Sequence, residues 1–88
     1  MPSVYIPSLL RHMTDGLYIV QVEGTTVQAV IDDLDLKYHG MKQRLLDGSQ
    51  LRSDVSVSID GETTTLGLSE IVGSDSEIHF IPAISGGF

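Results

Sequence analysis

The residue types that carry most enzyme chemistry are sparse in this chain of 88 residues. Cysteine is absent, which removes disulfides, thiolate metal sites, iron–sulfur clusters and a nucleophilic thiol together. The three histidines, His12, His39 and His79, are far apart and share no ligand spacing, so they read as surface or partly buried imidazoles. Asp32, Asp33 and Asp35 lack the alternating ligands and the glycine of a calcium loop, and read as a solvated helix face. No serine sits in a nucleophile elbow, no glycine-rich loop has the form of a phosphate cradle, and no basic–aromatic patch invites nucleic acid. One feature with chemical potential remains: Gly86-Gly87, close to the end of the chain. Two residues without side chains can thread a narrow channel into the active site of another protein, where a terminal carboxylate can attack a nucleotide phosphate.

The charge balance points the same way. Twelve acids against five bases give a formal −7, which repels nucleic-acid phosphates and anionic membranes and favours a partner with a basic surface. Apolar residues make up 41% of the chain, enough for a core and too many for a disordered tail. No apolar run approaches the about 20 residues of a membrane span, and no signal-type leader is visible, so the expectation is one small cytoplasmic domain.

The elements that must position the tail follow from periodicity. Val4 and Ile6 alternate with Tyr5 in a first strand closed by Pro7. A wide loop over Ser8 to Thr14 leads to the Asp15-Gly16 turn signal and a second strand, Leu17 to Val22. Thr25-Thr26 can cap a following helix, on which Val27, Val30, Ile31 and Leu34 form one apolar stripe. A short helical piece over about Gly40 to Leu46 ends at Asp47-Gly48. Val55, Val57 and Ile59 alternate with Ser56 and Ser58 in a strand, and Asp60-Gly61 is a strong hairpin signal with a return strand over Thr63 to Leu66. A single turn over Leu68 to Val72 precedes the last strand, Glu77 to Ile81. This order is an α+β arrangement: a mixed sheet of four to five strands with one main helix on one face and the last strand beside the first. It is a β-grasp, spanning residues 1–83, with residues 84–88 as a tail.

Gly-Gly just beyond a strand of such a fold carries far more weight than Gly-Gly alone. The segment IHFIPAISGG, Ile78 to Gly87, resembles the C-terminus of the ThiS/MoaD family of ubiquitin-like sulfur carriers. VYIPSLLR (Val4 to Arg11), EGTTVQAVIDDL (Glu23 to Leu34), LKYHGMKQRLLDGSQLR (Leu36 to Arg52) and VSVSIDGE (Val55 to Glu62) are similar to further family segments. The resemblance covers nearly the whole chain and is closest to the stand-alone carriers of cysteine-type and secondary-metabolite sulfur pathways.

The resemblance implies a protein co-substrate rather than an enzyme. In the family an adenylating enzyme of the ubiquitin-activating type uses ATP to convert the terminal glycine carboxylate to an acyl-adenylate. A sulfur donor then replaces the adenylate to leave a thiocarboxylate, which a sulfur-accepting synthase consumes. Carried over, Gly87 is the modified residue and Gly86 the spacer that threads the channel; the chain itself binds no cofactor or metal. Two departures stand out. GSDSE (Gly73 to Glu77) replaces the usual DGDE and predicts a slightly altered turn. Phe88 follows the second glycine, which implies a precursor cut between Gly87 and Phe88 by a JAMM-type zinc peptidase.

The sheet face away from the helix is the expected docking surface. Tyr5, Ile19, His79, Ile81 and Pro82 are its candidate residues, with Ser56 and Ser58 beside them, and a one-residue slip of register would reverse the assignment. The acceptor of the sulfur is set by the partner enzymes: cysteine, homocysteine, thiamine or a thiolated metabolite. The same fold and tail also suit a small subunit of molybdopterin synthase, or a ubiquitin-like modifier joined to other proteins.

Overall fold

The computed structural model describes residues 1–82. Its sheet is assembled from β1 (Ser3–Tyr5), β2 (Ile19–Gln21), β5 (Val55–Ile59), β6 (Glu62–Thr63) and β7 (Glu77–Pro82), in the order β2-β1-β7-β5-β6. β1 and β7 run parallel at the centre, and every other neighbouring pair is antiparallel. Between β2 and β5 lie α1 (Val27–Lys37), α2 (Met41–Leu45) and a small hairpin of β3 (Leu46–Asp47) and β4 (Gln50–Leu51). The fold is the β-grasp that the order of elements predicts.

α1 forms where the sequence places it, and for the same reasons. Thr26 is extended, and its Oγ1 accepts from the Ala29 N–H at 3.2 Å, satisfying a donor that has no partner within the helix. Val27, Val30, Ile31 and Leu34 are fully buried, the whole of one stripe. They pack against the inward set of the sheet: Val4, Val20, Val57, Ile78 and Phe80, all buried. Gly24 sets the entry to this helix. At φ 150°, its missing side chain leaves room for the Val30 nitrogen, which a Cβ would meet at 2.8 Å.

Four local expectations change. The expected loop over residues 8–14 is a 3₁₀ helix, Ser8–Thr14. Pro7 gives it an extended entry, buried Leu10 pins it to the core, and buried Thr14 closes it by donating from Oγ1 to the Leu17 carbonyl at 2.7 Å. β2 begins at Ile19, because Leu17 and Tyr18 stand exposed, at 50% and 58%. The return strand is Glu62–Thr63 instead of Thr63 to Leu66. Asp60 and Gly61 both have positive φ (52° and 88°), so the two-residue turn places Glu62 directly opposite Ile59. The chain then departs through a 3₁₀ turn at Gly67–Ser69. Beyond α2 it makes the β3–β4 hairpin, which the Asp47-Gly48 signal marks only as an end.

The aspartates of α1 do more than face solvent. Asp32 pairs with Lys42 and Asp33 with Lys37, each at 2.6 Å, while Asp33 also accepts from the Glu23 N–H. Asp35 accepts from the N–H groups of Gly40 and Lys42 at 3.2 and 3.0 Å, fixing the start of α2. The lysines hold the Asp32 and Asp33 carboxyls below the usual carboxylate range, chiefly through these hydrogen bonds.

Candidate functional site

The face of the sheet opposite α1 is built by strand alternation, so its membership follows from register. Tyr5 of β1 pairs with Ile19 on one side and with His79 on the other; His79 in turn pairs with Ser58, and Ser58 with Thr63. These five residues form a row across all five strands. Ile81 and Ser56 pair in the next row. Tyr5, Ile19, His79 and Ile81 therefore share one face, in the register the alternation predicts.

One member sits differently from expectation. Ser58 is on this face but only 9% exposed, flanked in register by His79 and Thr63. Pro82, the last residue of β7, pairs with Val55.

At the centre of the face the Tyr5 and His79 rings stack, with centroids 4.2 Å apart and planes 10° from parallel. Partial loss of hydration, and after it the nearby Glu77 carboxylate, push the Tyr5 phenol above its ordinary pKa. The phenol is thus neutral at physiological pH and can donate as well as accept. Ile81 stands on this face 48% exposed, beyond the stack and next to Pro82, the last residue of β7.

Beside it, an open groove of about 430 Å³ runs between the end of β1 and the second half of β7, lined by residues that include Tyr5, Pro7, Ser8, Arg11, Tyr18, His79 and Ile81. Arg11 enters it from the 3₁₀ segment. Its Nε donates to the Ile6 carbonyl at 3.2 Å, and its Cζ lies 5.7 Å from the centroid of the Tyr18 ring. Periodicity gave no sign of Arg11 and Tyr18. The one available signal was that Arg11 is the only lysine or arginine before Lys37.

His12 and His39 are exposed and remote from His79 in the sequence, and no group of three or more metal-ligating side chains converges among the described residues. No helix among them is long and apolar enough to cross a membrane. Gly86, Gly87 and Phe88 lie outside the described residues, as does the tail as a whole.

Comparison with known proteins adds identity to this geometry. The sulfur carrier protein CysO of Mycobacterium tuberculosis is 33% identical over 90 aligned positions, which cover 97% of each chain. The structure of the BexX/CysO complex of Amycolatopsis orientalis contains a chain that superposes with a TM-score of 0.93 at 31% identity, over 99% of this chain and 100% of that one. CysO of M. tuberculosis superposes with a TM-score of 0.89 at 31% identity, over 96% and 100%. The small archaeal modifier protein 1 of Methanosarcina acetivorans, at 23% identity and a TM-score of 0.83 over 98% and 95% of the two chains, shares the fold. Residues 4–87, from the first core valine to the second glycine of the tail, match the ThiS family, and the chain belongs to it.

Proposed function

We propose that this chain is a sulfur carrier protein of the CysO kind, with the Gly87 carboxyl group as the carrying atom set. The observation that carries the proposal is the family match over residues 4–87, whose last position is Gly87, together with sulfur-carrier relatives that align over 97% of both chains. Phe88 stands one residue past it, so hydrolysis of the Gly87–Phe88 peptide bond by a JAMM-type peptidase is the first step: water adds, phenylalanine leaves, and a glycine carboxylate is freed. That carboxylate attacks the α-phosphorus of ATP on an adenylating enzyme, and pyrophosphate departs. A sulfide-equivalent donor then adds to the acyl carbon and AMP departs, leaving a thiocarboxylate.

The chain contributes position rather than catalysis. Gly86 and Gly87 present no side chains to a narrow channel, and the sheet face bearing Tyr5, Ile19, His79 and Ile81 docks the activating enzyme. The sulfur stays tethered until an accepting synthase takes it into an amino acid or another small thiolated product, so free sulfide does not accumulate. A molybdopterin-synthase subunit and a protein modifier rank behind this reading, because the relatives at 33% identity are sulfur carriers.

Intact-mass measurement tests it. Incubated with peptidase, adenylating enzyme, ATP and sulfur donor, the chain loses phenylalanine and then gains the mass difference between sulfur and oxygen. Thiocarboxylation of the uncut chain ending in Phe88 refutes the precursor step; absence of any sulfur gain on the chain ending in Gly87 refutes the carrier reading.

A further inference from the structure

Positive charge is scarce in a chain of net charge −7, and most of it is neutralised internally. Lys37, Lys42 and Arg52 each pair with an aspartate. Arg11 has no carboxylate partner among the described residues. Its one side-chain hydrogen bond among the described residues uses Nε, out of the five N–H donors a guanidinium offers. That bond to Ile6 and the Tyr18 ring hold the planar group in place, a pre-organised fork of the kind that matches a carboxylate. No aspartate or glutamate is among the described residues lining its groove, whereas Tyr5, Tyr18, His79 and Ile81 are.

We infer that this groove docks a polypeptide segment presenting a carboxylate beside an apolar side chain. The carboxylate pairs with the unused donors of Arg11, and the apolar group seats against the Tyr5–His79 stack and Ile81. The inference rests on the reading above only in taking the outward face as the docking face. It reverses the sign expected from net charge: a partner that is basic elsewhere must be acidic at this one point, beside the second half of β7. A partner docked in a rotated pose would set its basic surface against Arg11, and that repulsion selects the pose that aims the tail. A nucleotide phosphate is a weaker match, because a single arginine lines the groove and the overall field of the chain opposes a polyanion.

Calorimetric titration of the full chain against the ubiquitin-activating-type adenylating enzyme of the same organism tests this. Arg11→Glu should weaken binding by about thirtyfold or more, while Arg11→Lys loses distinctly less. Ser8→Asp, which places an acid in the groove one 3₁₀ turn from Arg11 and competes for its free donors, should weaken binding by about tenfold with melting temperature maintained. Arg44→Glu, on an exposed cation away from the groove, should bind as the parent does. Unchanged or tighter binding by Arg11→Glu or Ser8→Asp overturns the inference, as does direct binding of ATP or AMP by the isolated chain that Arg11→Glu abolishes. Sulfur gain on Gly87 with binding indifferent to Arg11 sinks this inference alone. Arg11-dependent binding without sulfur gain keeps the groove and sinks the carrier reading.

Discussion

Tyr5 and His79 occupy directly paired positions of the two central parallel strands and stack with centroids 4.2 Å apart, so each ring covers one face of the other. The centre of the outward sheet surface is therefore a rigid aromatic platform, and Ile81 is the exposed apolar side chain next along β7. Rigid aromatic area flanked by an exposed aliphatic group is the composition that concentrates binding energy at interfaces.

Ile81→Glu should for that reason weaken the proposed complex with an adenylating enzyme by about tenfold or more, with stability changed by less than about 0.5 kcal/mol because the residue is already half in water. Calorimetry for affinity and a thermal melt for the fold separate the two effects. Parent-like affinity would remove this surface from the interface.

Gly24→Ala should destabilise the fold by about 1–3 kcal/mol, since φ 150° is unfavourable for any side chain and the new Cβ would lie 2.8 Å from the Val30 backbone nitrogen. Urea denaturation monitored by circular dichroism measures it. An unchanged midpoint would mean that the entry to α1 can relax.

Ile31→Ala removes the middle of the α1 stripe where nothing is exposed, and should cost about 2–5 kcal/mol. Thr26→Ala, which removes only the cap to Ala29, should cost about 1 kcal/mol. The ranking of the two, read from denaturation midpoints, tests whether core packing outweighs capping in holding α1 to the sheet.

The acid limb of stability should depend on Asp32 and Asp33. Both carboxyls are held below their ordinary value of 3.8 in the folded chain, so the native state binds fewer protons than the unfolded state. Their contribution is present above pH 3.8 and is lost as pH falls below it, through the lower folded values. Asp33→Asn should lower the melting temperature slightly at pH 7 and diminish its fall below that point. A variant with the parent's acid limb would assign the loss to other carboxylates.

Much of this architecture is legible in the sequence, because it rests on periodicity and turn chemistry. The 3.6-residue spacing of Val27, Val30, Ile31 and Leu34 and the Asp60-Gly61 turn each have a local physical cause. The 3₁₀ helix at Ser8–Thr14 is less legible: beside its local bonds, it depends on burial of Leu10 in the core among residues distant along the chain. The strands of the β3–β4 hairpin, two residues each, are too short to show alternation. Arg11 is hidden for the same reason as the 3₁₀ helix, since only the folded segment brings it beside Ile81 and His79. Alternation did reveal the shared face of Tyr5, Ile19, His79 and Ile81.

The central placement of β7 has a mechanical consequence. Hydrogen bonds to parallel β1 flank it on one side and those to antiparallel β5 on the other. A pull on its C-terminal end along the strand axis loads both ladders in shear, so many bonds resist together instead of opening one at a time. Tension applied at Pro82 is therefore resisted while the body stays folded, and the strand that leads toward the C-terminus also serves as an anchor for it.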